Sequence, residues 1–443
     1  MSAQPSSQSE TGGIRALARE IFLHTLAESS IEKAFERHVE YGRGLLRIGP
    51  DVYDLSSYNR VRVVSLGKAA HAMAAALAVR VGVGLEGIVA CAADPPAYVP
   101  GFRYFRGGHP TPNGESVRAG EAILRMLEAL DEGSLALYMI SGGGSAIVEK
   151  PISQDISLDD LIATYRELVL SGGTIAEINT VRKHLSATKG GRLAQAAAPA
   201  QQVSILISDV PDNVPDSLAS GPTMPDSTTV EDCYTIIRKY ALLQRFPPSV
   251  RELIEKRALE ETPKSDDPAF ARSRWWTILS NETALRAASE RARAAGFDVE
   301  VDCHCDDWDY RRAGDYLLER LHALQQKRRR VCLISGGEVT VRIEGKSGQG
   351  GRNQHLALYL APKIAGENIC VLSAGTDGID GQSPAAGAVV DGSTIERARA
   401  AGLDPTAALN EFDAYPVFKA LGDAIETGPT GTNVRDVRLL MAW

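Results

Sequence analysis

Three residue types gather where the chain leaves an apolar run: a basic side chain, an aspartate, and glycines in pairs or triplets. Lys68 stands in SLGKAA, directly after VRVVSL. Asp209 follows VSILIS, Arg352 sits in GQGGRNQ, and Asp377 and Asp380 lie in TDGIDG after ICVLSAG. Twice an apolar run enters Ser-Gly-Gly, in MISGGGSAIVE (139–149) and in LISGGEV (333–339). Glycine tolerates backbone angles and close approaches that side chains forbid, and strand-end glycines offer bare N–H groups to an anion. A tight turn is the plain reading of one Ser-Gly-Gly; two of them, each after an apolar run, favour a ligand. Lysine, arginine, glycine turns and aspartates at strand ends suit phosphate with Mg²⁺, and Asp377 and Asp380 are candidate metal ligands.

The same reasoning marks residues expected to touch substrate or nucleotide. They are Gly67 beside Lys68, then Ser141, Gly142, Gly143, Gly144 and Ser145, and then Gly336, Gly337 and Glu338 of the second Ser-Gly-Gly. Gly351, Asn353 and Gln354 flank Arg352 at a helix start. GGHPTPN places His109 in a Gly/Pro-rich turn as a substrate wall. EINTVRKHLSATKGG is a basic run. At helical spacing Asn179, Arg182 and Lys183 share a face, as do Arg182, Ser186 and Lys189. Most such runs are solvated charged faces, but this one ends in Lys-Gly-Gly, the composition of an anion cradle.

The elements that must position these residues alternate. Residues 14–48 carry apolar positions at helical period, and VRVVSL (61–66) reads as a buried strand followed by an alanine-rich helix. GIVACAA and LALYMI continue the strand–helix–strand order that implies parallel pairing. Helices are expected over 157–200 and 229–260, with VSILIS between them and a long Pro/Asp/Ser-rich loop after it, which is functional or unordered. WWTIL, VEVDC, VCLIS, VTVRIE and ICVLSAG are the later strands, and RLLMAW closes the chain as an edge strand. The expected architecture is two α/β domains with mainly parallel, Rossmann-like sheets and an active-site cleft between them. Residues 1–13 are expected to be disordered, 14–255 to form the first domain and 270–443 the second, with 14–48 packing on either.

Composition narrows the function classes. The 443 residues carry a net charge of -8, which argues against a general nucleic-acid binder. The six cysteines form neither a disulfide framework nor a zinc spacing, and Cys303-His304-Cys305 lacks a second ligand pair. The N-terminus lacks a secretory apolar core, and no apolar stretch is long enough to span a bilayer. A cytoplasmic protein without membrane association is expected; composition does not set its oligomeric state, for which a monomer or a homodimer is the expectation. The Gly82, Gly84, Gly87 match to GxGxxG has a helix before it and a strand after it, the reverse of a dinucleotide fingerprint. P-loop, protein-kinase, nucleophile-elbow and HExxH motifs are absent.

Taken together, SLGKAA, GGHPTPN, SGGGSA, NTVRKHLSATKGGRLA, ISDV, LASGPT, SGGEVTV, GQGGRNQ, AGTDGIDG, AAGAVVDG and TGPTGTNVRD occur in this order. The chain thereby resembles the class II glycerate 2-kinases, built from a glycerate-kinase N-terminal region and a MOFRL-type C-terminal domain. The resemblance runs from about residue 15 to the end. It implies ATP-dependent phosphorylation of the small molecule D-glycerate at its 2-hydroxyl, with Mg²⁺, and puts the family's active-site lysine, aspartate and arginine on Lys68, Asp209 and Arg352. Lys68 and Arg352 would hold phosphate oxygens or the substrate carboxylate. Asp209 would orient or deprotonate the hydroxyl, or hold the metal. The chain departs from the family pattern at Asp212-Asn213, where Gly-Asp is frequent, at His355 for a usual glutamate, and at Ser383-Pro384 for Thr-Asp. An NAD(P)H-dependent hydroxypyruvate reductase and a non-catalytic sugar-acid or nucleotide sensor are the competing readings.

Overall fold

The computed structural model describes residues 7–82, 84–211, 214–343, 345 and 348–443. The chain divides into two units: Ala34–Ile278, and Leu279–Trp443 joined by the residues up to Lys33.

The first unit is built on a six-stranded sheet. Its spatial order is Phe102–Arg106, Glu86–Cys91, Arg60–Leu66, Ser134–Ser141, Gln201–Ile207, Ser273–Leu279. The first five strands pair in parallel. They read as unbroken apolar runs because helices cover both faces of such a sheet; Ser134–Ser141 is buried at every position. Chain order reverses between Arg60–Leu66 and Ser134–Ser141, which makes this the topological switch point where open α/β sheets bind ligands. Register brings the carboxyl ends level, with Leu66 beside Ile140 and Ser141 beside Ile207. A satellite helical cluster, including Leu161, Leu168, Val181, Cys233, Ile237 and Val250, covers part of this unit.

The helix expected through residue 48 stops at His38. Val39–Gly42, Leu45–Ile48 and Asp51–Asp54 instead form an antiparallel three-stranded sheet. The reason is local: Arg43 and Gly44 take φ of 54° and 83°, the positive pair that a two-residue hairpin turn demands, and Leu46 and Ile48 then alternate inward.

In the second unit the sheet runs Asp298–Val301, Val331–Gly337, Asp436–Ala442, Ile369–Gly375, Gly387–Asp391, Ala424–Ile425. Only the first pair is parallel; the others are antiparallel. The expectation of mainly parallel pairing therefore holds for the first sheet and not for the second. The loop 376–386 has no helix, and an antiparallel neighbour needs no crossover. The closing strand lies in the centre, fully buried, rather than at the edge, and the described residues of VTVRIE, 339–343, form no strand, contributing one isolated bridge at Thr340. The helix Ser7–Glu28 belongs to this unit. It is held by an Arg15–Asp391 ion pair (2.6 Å) and by Arg19 donating to the carbonyls of Gly422 and Ala424 (2.7 and 2.8 Å). Of the N-terminal stretch expected to be disordered, residues 1–6 lie outside the described residues and the chain is helical from Ser7. No described helix is long and apolar enough to cross a membrane.

Candidate functional site

In the first unit the glycines of MISGGGSAIVE are spacers, each yielding its side-chain volume to a different neighbour. A Cβ on Gly142 would collide with the carboxylate of Asp209. One on Gly143 would stand 3.0 Å from both the His109 imidazole and Cγ of Lys68, and one on Gly144 would run into Leu66 and Ala219. Lys68, His109 and Asp209, 141 residues apart at the extremes, thus converge on two adjacent glycines at the switch point. Gly67 has φ 115° and leaves no room for a Cβ against Ser141. Ser141 is itself buried; its hydroxyl accepts from the Ala69 N–H (3.0 Å), while Lys68 N–H donates to the Gly142 carbonyl (2.9 Å). The two turns are sewn together, so the Lys68 backbone has a fixed place while its side chain is exposed. Asp209 is half-buried. Burial and, after it, the charge of Lys68 hold the His109 pKa below its ordinary value.

The long loop adds residues that sequence patterning missed. Ala219, Ser220 and Gly221 take φ of 51°, 61° and 59°, a left-handed run costly for the first two. It persists because Gly190 and Gly191 donate to the carbonyls of Ser220 and Gly221 (2.9 and 2.7 Å). The hydroxyls of Ser220 and Ser145 meet at 2.9 Å. The signal available was LASGPT, a short polar stretch inside a long loop. Asp212 and Asn213 lie outside the described residues.

The basic run is not the solvent-facing anion cradle its composition suggested. Lys183 is buried and bonded to Asp216 (3.0 Å) and Asp226 (3.2 Å). Lys189, also buried, pairs with Glu149 at 2.5 Å, and Tyr165 and Ser186 donate to the same carboxylate. Burial lowers the Lys189 pKa, and Glu149 opposes the shift. Arg182 lies over the Tyr165 ring, 4.9 Å from its centre, and Asn179 is half-buried. The carboxylates arrive from distant segments, so helical spacing alone could not reveal them.

The second Ser-Gly-Gly serves a different purpose from the first. Cβ atoms on Gly336 and Gly337 would collide with Asn281 and come within 2.5 Å of Asp306. Asn281 accepts from Gly337 N–H (3.1 Å), Asp306 accepts from Glu338 N–H (2.8 Å), and the Gly336 and Gly337 carbonyls accept from buried Arg438 (2.8 and 3.0 Å). The Gly337 amide, expected to face a ligand, is taken by a protein group, and so is the Glu338 amide beside it. Asp306 is in turn bound through both oxygens by Arg435 (2.7 and 2.6 Å). Asn281, Asp306, Arg435 and Arg438 had no motif to mark them.

Arg352 opens the helix Arg352–Leu360 and forms a two-toothed pair with buried Asp436 (2.7 and 2.9 Å), with Glu338 at 2.8 Å. Burial works to lower its pKa, but Asp436 first and then Glu338 and Asp380 outweigh it, so the pKa is raised. Asp380, expected as a metal ligand, is an anchor for this helix. It is buried and accepts from the backbone N–H groups of Asn353 and Gln354 (3.1 and 2.9 Å) and from the Gln354 amide (3.0 Å). Gly351 makes room for it, since a Cβ there would meet the carboxylate. Burial pushes the Asp380 pKa up to about 6, against those hydrogen bonds. Asn353 accepts from Ser373 (2.6 Å), and Gln354 donates to Ser383 (2.6 Å). Asp377 is half-buried, accepts from Ile379 N–H (3.1 Å) and lines a cavity together with Arg352. Among the described residues no three His, Cys, Asp or Glu side chains gather into a set that could hold a metal ion.

Residues 17–255 match the family model described as "Domain of unknown function (DUF4147)", and residues 331–436 match the MOFRL family. A D-glycerate 2-kinase of Thermotoga maritima is 36% identical over 86% of this chain and 90% of its own length. An Agrobacterium vitis protein provisionally named hydroxypyruvate reductase is 38% identical over 86% of this chain and 87% of its own. The crystal structure of a Thermotoga maritima glycerate kinase superposes with a TM-score of 0.84 at 33% identity, covering 98% of this chain and all of that one.

Proposed function

The chain belongs to the glycerate 2-kinase family that couples a DUF4147 region to a MOFRL region, and from that premise we propose how its residues carry the reaction. The enzyme transfers the γ-phosphoryl group of ATP to the 2-hydroxyl of D-glycerate, giving 2-phosphoglycerate and ADP. The observation that carries the assignment of residues is the convergence of Asp209 and Lys68 on Gly142 and Gly143 at the switch point of the parallel sheet.

Phosphoryl transfer asks for positioning and charge neutralisation more than covalent help. Asp209 orients the 2-hydroxyl and takes its proton as the O2–P bond forms and the bond from the γ-phosphorus to the bridging oxygen of ADP breaks. Lys68 offsets negative charge on the transferring group or on the substrate carboxylate, which a preorganised ammonium does at no reorganisation cost. His109, its pKa depressed, donates or accepts one hydrogen bond at the acceptor's side without adding charge. Arg352, held in a fixed orientation by Asp436, presents its remaining N–H groups to phosphate.

A Mg²⁺ ion carried in by ATP would need only one or two protein carboxylates. Asp377, in the same cavity lining as Arg352, fits that role better than Asp380, whose oxygens serve the helix start. Held there, the ion would supply neutralisation of the charge that develops on the phosphoryl group. The six cysteines are all free thiols, which supports a reducing compartment such as the cytoplasm.

The test is direct. Mg-ATP and D-glycerate are supplied with enolase, which reports 2-phosphoglycerate without a mutase. Signal that requires added mutase would make the product the 3-phosphate. Oxidation of NADH by hydroxypyruvate without ATP would replace the kinase with a reductase, and tight ligand binding with no turnover would leave a sensor.

A further inference from the structure

One cavity of the second unit has walls that phosphoryl transfer does not explain. It measures about 620 Å³, within the usual range for small-molecule sites. Val339, Val341, Ile343, Ile379 and Phe412 give it apolar walls, His355 lies among them, and Arg352 lines the same space. Ile343 and Ile379 leave 49% and 46% of their surface to water.

Phe412 has φ 54°, a true outlier for a bulky side chain. Such strain persists only where the surroundings over-determine it, and here they do. Gly348 N–H donates to the Glu411 carbonyl (3.2 Å), Gln349 N–H to Asp413 (2.6 Å), and Tyr415 N–H to the Gln349 carbonyl (3.0 Å). Gly348 and Gln349, just before Arg352, therefore hold the turn that carries the Phe412 ring. That ring stands 5.2 Å from the His355 imidazole, tilted by 50°.

His355 is 2% exposed, and among the described residues its Nδ1 has no hydrogen-bond partner. Burial first and the charge of Arg311 second hold its pKa down to about 4, so at neutral pH the ring is uncharged, with one N–H donor and one lone-pair acceptor. Buried polar atoms are nearly always paired, and an unpaired one asks for a ligand group or water.

A ligand for this cavity needs a flat apolar body, a hydrogen-bonding edge, and an anion at one end. D-glycerate is too small and too polar to fill it. We propose that this cavity is the base pocket of the nucleotide: adenine lies among Val341, Ile343, Ile379 and Phe412 with an edge atom paired to His355, and the polyphosphate leads out to Arg352. The inference rests on the kinase reading and adds which unit holds ATP and which residues select its base.

Photolabelling tests it without turnover. The full-length protein is irradiated with Mg²⁺ and 8-azidoadenosine diphosphate, and the modified peptide is mapped. Label in 339–343, at Ile379 or in 405–415, suppressed by excess ADP, is expected; label confined to 34–278 would overturn the pocket. In a second arm, His355→Phe and the rim variant Ile379→Asp are titrated with ADP and with pyrophosphate. ADP should bind at least about tenfold more weakly and pyrophosphate within about twofold of wild type; unchanged ADP affinity in the folded rim variant would overturn the pocket. Label in this cavity without phosphorylation of D-glycerate would keep the pocket and remove the acceptor. Phosphorylation with label elsewhere would remove the pocket alone.

Discussion

The carboxylate of Asp209 occupies the volume that a side chain on Gly142 would need. The first of the three glycines in MISGGGSAIVE is thus set by a residue 67 positions downstream, through the register that levels Ser141 with Ile207.

Gly142→Ala should therefore behave as a displaced Asp209. Turnover should fall on the order of 10²-fold, because small misplacements at a reacting centre cost about that much. Asp209→Asn should be comparably impaired. Steady-state kinetics beside a thermal melt checks this; an alanine variant with wild-type turnover would mean that the placement of Asp209 is irrelevant to the chemistry.

Lys68→Ala should lose on the order of 10²-fold or more in turnover through lost charge stabilisation, with little change in melting temperature, since the side chain is exposed. It should also raise the His109 pKa, because the ammonium is the second cause of its depression. NMR titration of the His109 ring measures this. A ring that titrates unchanged would place Lys68 too far away to matter.

Arg352 has two duties that substitution should separate. Arg352→Ala leaves buried Asp436 without its fork, but Arg438 stays 3.6 Å from Asp436 and Arg352 is itself partly exposed, so the loss should fall short of the roughly 3–5 kcal/mol that breaking a fully buried pair costs. Arg352→Lys keeps the charge but not the fork and should remain impaired in turnover with a smaller loss of stability. Urea unfolding and kinetics on both variants give the two numbers; full activity in Arg352→Lys would reduce the arginine to a point charge.

Lys189→Met should destabilise by more, roughly 3–5 kcal/mol, because both partners are buried and Glu149 would be left charged. Glu149→Gln combined with Lys189→Met should recover part of that loss. If urea unfolding shows the single variant as stable as wild type, the pair contributes nothing that packing does not.

Two buried groups of the second unit pull stability in opposite directions with pH. Asp380, raised to about 6, contributes stability that is present below about pH 4 and lost as pH rises through about 6. His355, lowered to about 4, contributes stability that is present above about pH 6.5 and lost as pH falls through about 4. His355→Leu should flatten the decline between about pH 6.5 and 4, by on the order of 2 kcal/mol. Unfolding midpoints at three pH values in that window read this directly, and parallel curves for the two proteins would discount the histidine.

What the sequence determined by itself was local and periodic. Long apolar runs between helical stretches specified the parallel sheet of the first unit, because strands covered on both faces have no polar alternation to hide them. Their glycine, lysine and aspartate ends mark Lys68, Gly142–Gly143 and Asp209 by residue type alone. Tertiary structure decided everything that depends on a partner from elsewhere in the chain. The closing strand became central because pairing, not position in the chain, sets order in a sheet. Lys183 and Lys189 turned inward because Asp216, Asp226 and Glu149 wait there. Asp380 became a helix anchor because Gly351 left it room beside two unpaired N–H groups. A side chain's charge and reach are written in its own residue type, whereas its partner is chosen by register and packing, which no single segment contains.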